Sequence, residues 1–89
     1  MAWTIEYTET ARKQLRKLDQ QQARRIVEFM DERISGKHDP RERGKALTGS
    51  TFGVYWRYRV GDYRIICDIQ DETLCVLVVR IGNRRDVYR

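Results

Sequence analysis

Histidine, proline and cysteine are nearly missing from this 89-residue chain, which has one, one and two of them. The lone histidine, His38, sits in the polar stretch Lys37-His38-Asp39-Pro40 and is read as solvated. A Ser-His-Asp triad or a histidine metal site therefore has almost nothing to build on. Two cysteines are too few for a zinc ribbon. A two-residue turn at Asp71-Glu72 would pair Asp68 with Cys75 and put Cys67 and Cys75 on opposite faces, so both are expected as buried, reduced thiols. Gly44-Lys45 and Gly49 lack the spacing of a phosphate-cradling glycine loop. No run approaches a membrane span, and Met1-Ala2-Trp3-Thr4-Ile5 has neither the charged lead nor the apolar core of a signal peptide, so a cytoplasmic protein without a membrane partner is expected. Any catalysis is left to arginine, lysine, tyrosine and carboxylates, with no metal and no cofactor.

Charge is what the chain has in quantity. Eighteen Lys and Arg against thirteen Asp and Glu give +5 and favour nucleic acid or an acidic protein as partner. The excess is uneven, with seven basic and six acidic residues up to residue 35 and eleven against seven thereafter. From Val54 onward every basic residue is arginine, the side chain suited to bidentate contact with phosphate. Eighty-nine residues make one small domain, 1–89, with a single core and a function carried on its surface.

Trp3, Ile5 and Tyr7 alternate with Thr4 and Glu6, the period of a half-buried strand. Thr8 offers an N-cap to a short helix whose apolar face is Ala11, Leu15 and Leu18, with Arg12, Lys13, Arg16 and Lys17 around it. Asp19 with Gln22 resembles a capping box for a second helix, striped by Ala23, Ile26, Val27, Met30 and Ile34 and ended by Gly36. Lys37 to Gly53 holds the only proline and no clear period, and reads as a long connecting loop with at most a turn inside. Strands are expected at about Val54–Val60, Tyr63–Gln70 and Thr73–Gly82, joined by tight turns at Gly61-Asp62 and Asp71-Glu72. The fold class is α+β, in the order β-α-α-β-β-β, with an antiparallel sheet and both helices on one face.

The Gly61-Asp62 turn sets Arg59 directly opposite Arg64, with Arg57 on the same face and Tyr55 at its edge. Trp56, Tyr58 and Val60 then face the helices beside Tyr63, Ile65 and Cys67. Like charges in cross-strand register ask for a counter-ion, and phosphate is the first candidate. Arg84, Arg85 and Tyr88, past the last strand, could join the same patch. This inventory suits RNA cleavage, in which the 2′-hydroxyl attacks the neighbouring phosphorus and cations hold the developing charge. Arginine, with a pKa above about 12, makes a poor base. Tyr88, its phenolate favoured by Arg84, Arg85 and Arg89, can approach that role.

The hairpin Tyr55-Trp56-Arg57-Tyr58-Arg59-Val60-Gly61-Asp62-Tyr63-Arg64-Ile65-Ile66 and the ending Gly82-Asn83-Arg84-Arg85-Asp86-Val87-Tyr88-Arg89 resemble those of the RelE/ParE superfamily of type II toxins. The similarity spans essentially the whole chain, including Lys45-Ala46-Leu47-Thr48-Gly49, and it implies the RelE-like microbial ribonuclease fold. It also implies a ribosome-dependent mRNA endonuclease that enters the A site of the 70S ribosome and inhibits translation. Arg64 then corresponds to a phosphate-binding arginine, Arg84 to the arginine after the last strand, and Tyr88 to the proposed general base. Arg57 stands where the family often has a catalytic lysine, and Tyr55 replaces another, so the acid falls to Lys45, a ribosomal group or water. Arg59, Lys45, Arg85 and Tyr55 are expected to bind RNA and its phosphates. A cognate antitoxin is implied as partner, with operator DNA reached only through the toxin–antitoxin complex. Two alternatives stay open: a ParE-like inhibitor of DNA gyrase, and a non-catalytic RNA-binding module.

Overall fold

The computed structural model describes residues 2–47 and 55–83. The expectations placed on Arg84, Arg85 and Tyr88 lie outside the described residues. Strand β1 (Thr4–Tyr7) leads into helix α1 (Glu9–Lys17), and a sharp corner at Leu18-Asp19 leads into α2 (Gln20–Phe29). Both helix starts are capped by the expected residues: Thr8 accepts the Ala11 N–H and Asp19 the Gln21 N–H. Past Phe29 the helix widens into a π-helical turn, Met30–Ile34, which keeps Met30 and Ile34 pointed at the core. Trp3 and Gly36 then exchange two backbone hydrogen bonds, of 2.6 and 3.1 Å, tying the end of the helical layer to the start of β1.

The segment expected as a plain loop holds a strand. A 3₁₀ turn, Pro40–Glu42, precedes β2 (Lys45–Ala46), which pairs antiparallel with β3 (Trp56–Val60). Two residues of Lys-Ala carry no periodic signal, so β2 exists only because the neighbouring chain is drawn close. Gly44 makes that approach possible: its φ is +126°, and a Cβ there would meet the Arg57 carbonyl oxygen at 2.7 Å and the Tyr58 ring at 2.8 Å.

Strands β3, β4 (Tyr63–Gln70) and β5 (Cys75–Asn83) form an antiparallel meander, and the sheet order is β1-β5-β4-β3-β2. The sheet is mixed, because β1 runs parallel to β5. A four-residue alternating strand reads the same in either direction, so the all-antiparallel expectation gives way at this one pairing. The β3–β4 hairpin closes on Gly61-Asp62 as expected; Gly61 supplies φ +58°, the positive value a two-residue hairpin turn with glycine first requires. The β4–β5 turn is longer than expected, a 3₁₀ turn at Asp71–Thr73 followed by Leu74 at φ 50°. Gln70, not Asp68, therefore pairs with Cys75. The thiols still fall on opposite faces, since Cys67 packs with the core and Cys75 lies beside β1 on the other side.

One layer of core fills the space between the helices and the sheet. Ile26, Met30 and Ile34 meet Tyr58, Ile65, Val76, Val78 and Ile81, all at most 2% exposed. Each such side chain contributes about 1.5–3 kcal/mol on burial. The helices cover this face alone, which leaves the other face of β3 and β4 to their odd and even residues respectively.

Candidate functional site

On the uncovered face the hairpin sets cations against cations. Arg59 is the register partner of Arg64, and Lys45 that of Arg57. Arg57 also sits across from Ile66, whose partner on β5 is Arg80. Five basic side chains thus share one end of the sheet. Carboxylates on the same face stand farther along: Asp68 accepts from Gln70 at 3.2 Å, and Glu6 accepts from the Cys75 thiol at 2.9 Å. Among the described residues the charge on this face is segregated, positive towards the β3–β4 turn and negative towards β1.

The cations differ in burial. Arg59 is exposed, Arg57 is half-buried, and Arg64 is only 7% exposed, with Nη1 donating to the Tyr63 carbonyl at 3.3 Å. Arg57 has its Nε buried with no hydrogen-bond partner among the described residues. A guanidinium nitrogen removed from water without an acceptor is costly, and an incoming anion relieves that cost. Ile66 is fully buried although it faces away from the helices. It gives the cationic face an apolar centre and lowers the dielectric around its neighbours.

Beside these residues, at the β2–β3 edge, lies an open groove of about 400 Å³ lined by Arg43, Lys45, Arg57 and Arg59, with Glu42 and Tyr58. Its walls are fixed from the helix side. The Tyr58 hydroxyl donates to the Pro40 carbonyl at 2.7 Å, and Arg41 grips Asp71 through two hydrogen bonds of 2.9 and 2.7 Å. Arg41 also lies over the Trp56 ring at 5.9 Å. Burial pushes the Tyr58 hydroxyl above the usual phenol range, so it stays a proton donor to Pro40. Together these contacts hold the 40–43 segment down and aim β2, with Lys45, at Arg57.

Of the residues expected from sequence, Arg57, Arg59, Arg64 and Lys45 come together on this surface. Tyr55 stands at the entry to β3, half-buried, its carbonyl accepting the Leu47 N–H at 2.9 Å. Arg80 is the member that sequence reasoning missed. Strict alternation along β5 from Val76 and Val78 would send residue 80 into the core. Instead the β4–β5 register shifts between Ile66 and Cys67, leaving Val79 without a partner on β4 and turning Arg80 to the cationic face. The signal available beforehand was Ile81, an apolar residue out of step with the alternation.

Residues 5–88 match the family model described as ParE toxin of type II toxin-antitoxin system, parDE. Toxin RelG of Mycobacterium tuberculosis is 35% identical over 89 residues, covering 100% of this chain and 99% of that protein. Among solved structures, a chain of the RelBE2 toxin-antitoxin complex of Mycobacterium tuberculosis superposes with a TM-score of 0.82 at 31% identity, over 97% of this chain and 95% of that one. A chain of the archaeal RelE-RelB complex of Pyrococcus horikoshii gives 0.70 at 22% identity, over 98% and 100%, a likeness of fold. A hairpin with paired cations on a two-helix, five-strand scaffold, matched along nearly its whole length, places this chain in the RelE/ParE superfamily as a toxin of the type II toxin-antitoxin systems.

Proposed function

We propose that this toxin is a ribosome-dependent endoribonuclease that cuts messenger RNA in the A site, in the cytoplasm, and so inhibits translation. The observation that carries the reading is the cationic face itself, with Arg59 across from Arg64 and Lys45 across from Arg57. A phosphorane passing through the transition state carries more negative charge than the ground-state phosphate, and fixed guanidinium groups on a rigid hairpin favour it. Arg64, buried and held, is the first candidate for that role, with Arg84 beside it in function. Tyr88 would take the 2′-hydroxyl proton, and Lys45, across from Arg57, would protonate the leaving oxygen. Arg57, Arg59, Arg85 and Tyr55 would hold the RNA on either side. The RNA supplies its own nucleophile, the 2′-hydroxyl, and a ribosomal group or water could share the acid role with Lys45.

The partner is a cognate antitoxin. Several structures of similar fold are toxin-antitoxin complexes, RelBE2 of Mycobacterium tuberculosis among them. An acidic antitoxin segment laid over the cationic face would block RNA by occupying its phosphate sites.

A second reading, inhibition of DNA gyrase through protein contact, draws on the family model that matches, which is that of ParE. Reconstituted cleavage separates the two: purified chain is added to messenger on ribosomes with an empty A site, and the new ends are mapped. Cuts in the A-site codon that leave a 2′,3′-cyclic phosphate and vanish in Arg64→Ala are the expected result. Intact messenger from a preparation that arrests growth and damages DNA would favour gyrase.

A further inference from the structure

Strand β1 ends at Tyr7, which pairs with Val78, so among the described residues the β1-side edge of β5 beyond Val78 has no strand beside it. Helix α1 takes the place of that strand. Its N-cap, Thr8, donates from its backbone N–H to the Val78 carbonyl at 2.9 Å and from Oγ1 to the Val79 carbonyl at 3.2 Å. Farther along the same helix, the side-chain Oε1 of Gln14 accepts the Ile81 N–H at 2.6 Å. Ile81 is 2% exposed, so its amide is remote from water and Gln14 is the acceptor that satisfies it.

These bonds bracket the place where β5 breaks step with β4. Ile66 pairs with Arg80 and Cys67 with Val78, and Val79 is the extra residue. The bulge lets Val78 and Ile81 both enter the core while Arg80 stays beside Ile66 and Arg57 on the cationic face. A slip of one residue would reverse the two, burying Arg80 and exposing Ile81. Val79 has no register partner on β4, so the bulge is held from the other edge, Thr8 bonding Val79 and Gln14 bonding Ile81.

We propose that Gln14 is a positioning residue for RNA cleavage. By holding the Ile81 amide it fixes the bulged register of β5, and with it the placement of Arg80 and of the Gly82-Asn83 stretch that runs into Arg84. This rests on the nuclease reading above. Gln14 touches no RNA in this scheme; it acts through the backbone of β5, and the helix is thereby part of the site's construction as well as a cover for the core.

The test compares Gln14→Met, close in size but without the acceptor, with Gln14→Glu, which keeps one. Single-turnover cleavage on ribosomes is read together with hydrogen exchange at the Ile81 amide. In Gln14→Met, exchange at Ile81 should rise about tenfold or more, as expected for a buried amide losing its acceptor. The cleavage rate at saturating ribosome concentration should fall about tenfold with half-saturation changed by less than about twofold, the pattern of misplaced groups and not of lost binding. Gln14→Glu should restore both. If Gln14→Met does not fold, Gln14→Asn, too short to reach Ile81, is read the same way. A Met variant that cleaves like the wild type, or a Glu variant that restores nothing, overturns the role of Gln14 and leaves the nuclease reading standing. A wild type that cuts no RNA removes the nuclease reading and the role of Gln14 together.

Discussion

Arg59 and Arg64 face each other across the β3–β4 hairpin, the first exposed and the second only 7% exposed. Like charges in direct cross-strand register cost roughly 0.2–1 kcal/mol relative to a neutral pair. Arg59→Ala should therefore raise the free energy of unfolding by up to about 1 kcal/mol in urea melts. The same change should weaken RNA association and lower the slope of log affinity against log salt by about 0.7, one single-strand phosphate contact. A less stable variant with an unchanged salt slope would mean that Arg59 supports Arg64 and does not meet RNA. A gain in stability together with a reduced salt slope would mark a surface on which stability is given up for anion binding.

Arg57 supplies the second prediction, because its Nε is buried without an acceptor among the described residues. Lysine carries an apolar methylene, Cε, where arginine has Nε, so Arg57→Lys removes an unsatisfied donor and should leave the melting temperature unchanged or raise it. Lysine also loses its proton far more readily, near pKa 10.4 against above 12 for arginine, which suits it to protonate a leaving oxygen. The single-turnover cleavage rate of Arg57→Lys should match or exceed wild type by up to about tenfold, less than the full range of general acid catalysis. A loss of more than about tenfold would instead show that bidentate guanidinium contact with phosphate outweighs proton donation at this position.

Much of this site was legible because hairpins are short-range objects. Gly61-Asp62 between two alternating runs defines the turn, the turn defines the register, and the register puts Arg59 across from Arg64 with Arg57 alongside. The helix caps at Thr8 and Asp19 are equally local and were readable for the same reason. What escaped depends on contacts far apart in sequence. Strand β2 owes its existence to Gly44 lying against Tyr58, and its two residues carry no pattern of their own. The parallel pairing of β1 with β5 joins residues about seventy positions apart, beyond anything a local period encodes. Arg80 reaches the site only through the bulge at Val79, where Thr8 bonds Val79 and Gln14 bonds Ile81 from the cap and body of a helix near the other end of the chain.

The two thiols should be unreactive in the native protein. Burial pushes the Cys67 thiol far up, and burial together with the Glu6 carboxylate at 2.9 Å pushes Cys75 up to about 11. The thiolate is the reactive form, so at pH 8 native protein should react with a thiol reagent at well under about 1% of the rate of urea-unfolded protein, whose thiols ionise near 8.5. Glu6→Gln removes the carboxylate and should speed labelling of Cys75 alone. Fast labelling of the untreated wild type would show that the β1–β5 edge opens often, a measure of local unfolding where β1 is only four residues long.

Arg41 and Asp71 tie the segment before β2 to the β4–β5 turn, and their pairing makes a pH prediction. Hydrogen bonds from Arg41 hold the Asp71 carboxyl below its ordinary value of 3.8, so the folded state binds its proton more weakly than the unfolded chain does. A depressed carboxylate stabilises the fold at pH values above the unfolded pKa, and the contribution is lost as pH falls through the folded value. The difference in melting temperature between wild type and Asp71→Asn should then be constant from about pH 5 to pH 8, shrink as pH falls below the unfolded carboxyl's value, and vanish once the folded Asp71 is protonated as well. The pair is exposed to water, so high salt should also reduce the difference. Because this clamp holds the segment that delivers Lys45 to Arg57, amide exchange at Lys45 and Ala46 should quicken in Asp71→Asn at neutral pH, while the β3–β4 hairpin stays protected. Equal exchange at β2 in both proteins would show that Gly44 and the Tyr58–Pro40 hydrogen bond suffice to place the strand, and that the Arg41–Asp71 contact only decorates it.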